Sequence, residues 1–193
     1  MKWWAFLPLA LIAVVLDTSF MPVAAINEIV PRVTPALVVL VALYAHRQTA
    51  ITAAIVAGLL VDLNTTELHD GVRPYVLIGP TALGYVLGAS IVLPLRSMVV
   101  RRNPFAFGVL VAIFSLGAML VTTFIFSVRG WYAGPTPPWL AEAPQGTALG
   151  WMGVEALRAL WSGAIGIVAS VPLQRFAGAL GFSGSAPWSH RRG

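Results

Sequence analysis

The chain has 193 residues, of which 58% are hydrophobic and 10% charged, with a net charge of +5 and no cysteine. A soluble domain carries ~25% charged residues, and a fold of this size has too little interior to hide so much apolar surface. The missing cysteine excludes disulfides, thiolate metal sites and a cysteine nucleophile. The basic residues stand in short loops between apolar runs, which reads as membrane topology and not as a nucleic-acid surface. No alternating apolar and polar pattern of a barrel occurs. The long apolar runs therefore predict an all-α, polytopic transmembrane bundle of about six spans.

In chain order the apolar segments are Trp3 to Val23, Val33 to Ala45, Thr49 to Val61, Pro74 to Leu95, Phe105 to Val128 and Trp151 to Leu173. A span needs ~20 residues. The second and third segments reach that only if Ile29–Pro31 and Leu63–Thr66 continue them, giving spans near 3–23, 29–45, 49–66, 74–95, 105–128 and 151–174. A re-entrant hairpin is the competing reading for that pair. Lys2, the Trp3–Leu16 core and the Val23-Ala24-Ala25 ending also fit a secretory leader loosely. Gly79-Pro80 is expected to kink the fourth span. One domain is expected over 1–182, followed by a basic cytoplasmic tail over 183–193.

With the N-terminus inside, the inner segments hold Lys2, Arg47, Arg96, Arg101, Arg102, Arg175, Arg191 and Arg192. The outer loops hold only Arg32, Arg73 and Arg129. That bias predicts both termini in the cytoplasm and an even number of spans. The longest outer loop, Gly130 to Gly150, is rich in Pro and Gly and carries Trp131, Tyr132 and Trp139. It reads as an interfacial loop or as a partner-binding one.

The densest polar patch runs from Asp62 to Arg73 and includes Glu67, His69 and Asp70. Its single histidine gives little support for a metal site, and it reads as a solvated outer loop. Asp62 ends an apolar segment and is expected to cap a helix, pair with a basic residue, or meet a partner span. Asp17, beside Thr18 and Ser19, is expected to meet headgroup water. Glu155 and Arg158, spaced i, i+3, are expected to pair on the last span. Gly84 with Gly88, and Ala54 with Gly58, have the small-residue spacing that lets helix backbones approach closely. No P-loop, nucleophile elbow or HExxH occurs, so neither a cofactor nor an enzymatic activity is expected.

Over roughly the first 125 residues the chain resembles the MreD family of bacterial rod shape-determining membrane proteins. The stretch Ala54-Ile-Val-Ala-Gly58-Leu59-Leu-Val-Asp62 resembles that family's third-span pattern. Gly84-Tyr85-Val-Leu-Gly88 resembles its glycine-tyrosine stretch. Gly71 stands where the family tends to place a glycine, and Pro35 also fits. The family often has Asp or Asn after that proline, where this chain has Ala36. The resemblance implies a non-enzymatic scaffold of the cell-wall elongation machinery in the bacterial plasma membrane. It implies as partners the bitopic protein MreC, the RodA–transpeptidase wall synthases and, indirectly, the MreB filament. Pro35, Ala54, Gly58, Asp62, Gly84 and Gly88 become partner or helix-packing candidates. The family is similar in topology to the substrate-binding subunits of energy-coupling-factor vitamin transporters. A vitamin-binding subunit is therefore the alternative function, and it requires an outward pocket with convergent polar groups.

Overall fold

The computed structural model describes residues 1–27, 29–65, 67–69, 73–75, 78–97, 103–130, 148–178 and 180–182. For 67–69, 73–75, 129–130 and 148–149 it gives the backbone alone. The outer-loop aromatics at 131, 132 and 139, the tail at 183–193, and Asp70 and Gly71 lie outside the described residues.

The described residues form six α-helices. They are α1 (Trp3–Ser19), α2 (Thr34–Tyr44), α3 (Arg47–Asn64), α4 (Pro80–Leu95), α5 (Pro104–Gly130) and α6 (Ala148–Phe176). A 3-10 turn at Met21–Ala24 follows α1. A small antiparallel hairpin, β1 (Glu67–His69) with β2 (Arg73–Tyr75), lies between α3 and α4, with Glu67 opposite Tyr75. The polar patch expected as a loop is thus partly a strand pair. Gly130 and Gly150, expected in a loop, belong to α5 and α6.

Among the described residues two helices, Pro104–Val128 and Gly150–Phe176, are long and apolar enough to cross a membrane. The others are shorter. At ~1.5 Å per residue, the 17 residues of α1 reach about 26 Å. The 11 residues of α2 reach only about 17 Å. The expected continuation of the second segment through Ile29–Pro31 does not form. Ile26 and Ile29 make an isolated backbone bridge there, and the helix starts at Thr34 with Pro35 in its first turn. Proline favours that position because its missing N–H is not needed there. On the third segment, Leu63 and Asn64 do continue the helix.

Gly79-Pro80 does not kink a helix; it starts one. Gly79 has φ +124°, a conformation side chains disfavour, and Pro80 follows as the first residue of α4. Residues 74–78 therefore lie outside α4, and the helical part of the fourth segment is 16 residues.

α2 is the axis of the molecule. Its residues from Thr34 to Leu43 are all buried, and it touches each of the other five helices. That follows from a sequence, TPALVVLVALY, that offers no polar face. Around it, neighbouring helices cross closely because small residues meet backbone. Gly58 on α3 faces Ala82, and Gly84 and Gly88 on α4 face Ala118 and Phe114 on α5. Gly108 on α5 and Gly163 on α6 face each other. The rising numbers on one helix meet falling numbers on the next, so α3, α4, α5 and α6 run antiparallel in succession. Trp161 Nε1 donates to Ala24 O at 2.9 Å, which ties the segment after α1 to α6.

These crossings leave no room for a side chain. A Cβ on Gly88 stands 2.6 Å from Phe114 O, whereas one on Gly153 meets nothing within 4 Å. Overpacking a tight contact costs about 1–3 kcal/mol, while Gly→Ala in an open helix position gains up to about 1 kcal/mol. Gly88→Ile is therefore expected to lower the thermal stability of the purified protein in detergent. Gly153→Ala is expected to leave it unchanged or raise it. Equal behaviour of the two variants would contradict this packing.

Candidate functional site

The first turn of a helix has N–H groups with no intrahelical acceptor. In α2 and α4 these starts are buried, and a carboxylate from the preceding helix fills the gap. The Asp17 carboxylate, near the end of α1, accepts from the Val33 amide, from the Thr34 amide at 3.0 Å and from the Thr34 hydroxyl. Pro35 has no N–H, and the Ala36 and Leu37 amides already bond to Val33 O. The start of α2 is thereby satisfied.

Asp62 does the same for α4. Its Oδ2 accepts from Gly79 N at 2.8 Å and Ala82 N at 3.3 Å, and its Oδ1 from Thr81 N at 3.1 Å. Pro80 needs no acceptor, and Leu83 N bonds to Gly79 O at 2.9 Å. Asp62 is 3% exposed, so its charge is held by hydrogen bonds and by the positive end of the helix, not by water. In both pairs the carboxylate stands 17 positions before an amide it holds. The two halves of α1–α4 thus use one device twice.

This assigns Asp62 to the helix-capping role. Its oxygens are engaged on three amides and largely covered. The structure also corrects Asp17, which meets the α2 N-terminus and not headgroup water. Pro35 sits in the first turn of α2. Ala54 is buried, and Gly58, Gly84 and Gly88 are occupied by contacts within the chain. The small-residue faces expected to receive a partner helix are filled internally.

The opposite end of the bundle is held by a cation. Arg96, just after α4, donates to Ala45 O at 2.8 Å and to Ala42 O at 3.4 Å, which satisfies the end of α2. Lys2 N donates to Leu180 O at 2.9 Å, and Tyr44 stacks on Phe182 at 5.9 Å.

Beside the carboxylate caps, residues on and just before α2 and on α4, α5 and α6 line a half-open cavity of about 50 Å³. Arg32, Tyr85, Ser115, Glu155, Arg158 and Ser162 contribute to its wall. Glu155 and Arg158 form the expected ion pair. Ser162 Oγ accepts from the Arg32 amide at 2.9 Å. The Tyr85 and Ser115 hydroxyls are buried and have no hydrogen-bond partner among the described residues. The Tyr85 ring is fixed edge-on to Phe114 at 5.1 Å. No group of three or more metal-ligating side chains exists among the described residues.

Sequence reasoning found Asp62 and the Glu155–Arg158 pair. It missed the Asp17 cap, the Gly108–Gly163 crossing and the cavity. A signal for the caps was present: each helix start carries proline with threonine, and each follows a carboxylate by the same interval.

No protein-family profile, curated protein or solved structure matches the chain.

Removing the Asp62 carboxylate strands three amides, and a buried donor without an acceptor costs about 1–3 kcal/mol. Asp62→Ala is expected to destabilise the protein by several kcal/mol. Asp62→Asn keeps one oxygen and is expected to lose clearly less. Thermal or denaturant unfolding in detergent checks this order, and equal losses, or none, would contradict the capping role.

Proposed function

We propose that the chain is a six-span protein of the bacterial plasma membrane that acts as a non-enzymatic scaffold of the MreD kind. In this reading it holds a bitopic, MreC-like partner and, through it, the wall-synthesis machinery. The observation that carries the reading is the use made of the polar interior. Asp17 and Asp62 are engaged on helix starts, and the cavity beside them is about 50 Å³. Sites for organic ligands occupy roughly 300–1,000 Å³. The cavity described here is smaller than that, which favours the scaffold over the transporter-subunit alternative. The MreD-like stretches Ala54–Asp62 and Gly84–Gly88 form the α3–α4–α5 crossing and its cap, so the resembling residues are those that set the bundle's geometry.

The contacts also favour an even number of spans. The Lys2–Leu180 hydrogen bond puts the start of α1 beside the end of the helical body. Lys2, Arg47 and Arg96 gather at that end, which supports a cytoplasmic position for it and an outer one for the carboxylate caps. With its small-residue faces filled, the bundle has to meet its partner through side chains on its outer surface. Exposed apolar residues of α6, such as Leu157, Leu160 and Val168, are of that kind.

Reporter fusions after Arg47, Arg102 and Gly193 are expected to read as cytoplasmic. Affinity-tagged protein drawn from its native membranes is expected to retain a single-span partner, and depletion is expected to round a rod-shaped cell. A periplasmic signal from any fusion would remove the six-span topology. Full complementation of a depleted strain by protein that retains no membrane partner would remove the scaffold role.

A further inference from the structure

We propose that the end of the bundle carrying Lys2, Arg47 and Arg175 is a docking surface for anionic phospholipid headgroups. The proposal rests on the membrane-bundle reading and adds to it a lipid preference confined to one end. Four basic residues from separate parts of the chain are brought there by internal contacts. Lys2 N bonds to Leu180 O at 2.9 Å, and the Lys2 stem runs past Gly181. Phe182 stacks on Tyr44 at 5.9 Å, which joins this segment to the end of α2. Arg96 donates to Ala45 O at 2.8 Å, two residues before Arg47 opens α3. Arg175 lies in the last turn of α6, just ahead of the same 180–182 segment. Lys2, Arg47 and Arg175 are exposed.

Among the described residues no carboxylate balances these charges. Asp17, Asp62 and Glu155 lie toward the opposite ends of α1, α3 and α6. The sequence agrees, since 1–16, 29–61, 71–141 and 156–193 contain no Asp or Glu. None of the four cations forms an ion pair with a described residue. Arg96 is committed to the α2 carbonyls, so Lys2, Arg47 and Arg175 carry the charge that faces outward. An exposed cation is well solvated, and charge alone names no partner. The residues beside it do. Trp3 and Trp4 open α1 and are 38% and 73% exposed, with Lys2 Nζ 5.8 Å from the Trp4 ring. Tryptophan favours the layer between headgroups and acyl chains. Cation and indole on one turn therefore meet a lipid at the depth of its phosphate. An acidic protein segment in solution uses the charges and leaves the indoles without a role. Each Lys or Arg near an anionic surface strengthens binding about fivefold, whereas a zwitterionic headgroup offers no net charge to gain from.

The full chain, purified in detergent and delipidated, is titrated in native mass spectrometry with phosphatidylglycerol and with phosphatidylcholine of the same acyl chains. A poly-glutamate peptide is titrated in parallel. Phosphatidylglycerol is expected to bind about tenfold or more tightly than phosphatidylcholine, and added salt is expected to shrink that ratio. The triple variant Lys2→Gln, Arg47→Gln, Arg175→Gln keeps the Lys2 backbone bond and is expected to bring the two lipids level. Each single variant is expected to lower the ratio severalfold at unchanged thermal stability, because all three positions are exposed. Arg32→Gln, at the opposite end, is expected to keep the ratio. Equal binding of the two lipids would overturn the proposal. So would a ratio that survives the triple variant or is lost equally in Arg32→Gln. Saturable binding of poly-glutamate without discrimination between lipids would assign the surface to an acidic protein segment instead. The measurement in detergent does not depend on how the chain inserts. Cytoplasmic reporter fusions with no lipid preference would therefore overturn this proposal and leave the topology standing.

Discussion

Everything in this fold depends on satisfying the ends of a short helix that has no access to water. α2 lies at the centre of the bundle, and its residues from Thr34 to Leu43 are covered on all sides. Its body satisfies its own backbone, as any helix does. Its ends cannot, and the surrounding helices supply what is missing. Asp17 takes the first amides and Arg96 takes the last carbonyls. A negative side chain at the N-terminus and a positive one at the C-terminus also match the helix dipole. The same solution recurs at α4, where Asp62 holds Gly79, Thr81 and Ala82.

These long-range caps fix geometry as well as energy. A carboxylate near the end of α3 can reach the start of α4 only if the two helices lie close. Gly58 permits that approach by meeting Ala82 with no side chain between them. Cap and glycine are thus two halves of one arrangement, spaced four residues apart on α3. Among the described residues no such carboxylate joins α5 to α6. The pair crosses at Gly108 and Gly163, and both helices are long enough that their ends extend beyond the shorter ones. Packing among small residues holds where neighbouring apolar surfaces gain little by leaving lipid.

Much of this was legible in the sequence, and the failures have physical causes. Apolar runs marked α5 and α6 to within about three residues of their limits, because both runs are long, and Pro172 lies too near the end of α6 to divide it. Glu155 and Arg158 were legible as a pair because three residues on a helix are neighbours by construction. The start of α4 was misread because Gly-Pro inside an apolar run has two outcomes, a kink or a new helix. Only a distant acceptor, Asp62, decides between them. Asp17 was misread for the same reason: its partner, Thr34, stands across a turn whose path the sequence does not encode locally. Gly84 and Gly88 were recognised as packing residues, but their partners Ala118 and Phe114 were not. Small-residue spacing states that a helix is approached, not by which neighbour. The cavity was illegible because Arg32, Tyr85, Ser115 and Glu155 come from four separate parts of the chain.

The account stands or falls on the carboxylate caps, and amide hydrogen exchange in lipid nanodiscs tests them at the atoms concerned. The Val33 and Thr34 amides lie in a first turn that lacks intrahelical acceptors, so their protection depends on Asp17 alone. In the native protein both amides are expected to exchange slowly. In Asp17→Ala they are expected to exchange far faster, while amides in the middle of α5 and α6 keep their protection. Rapid exchange of Val33 and Thr34 in the native protein, or protection unchanged by Asp17→Ala, would contradict the claim that these carboxylates hold the helix starts.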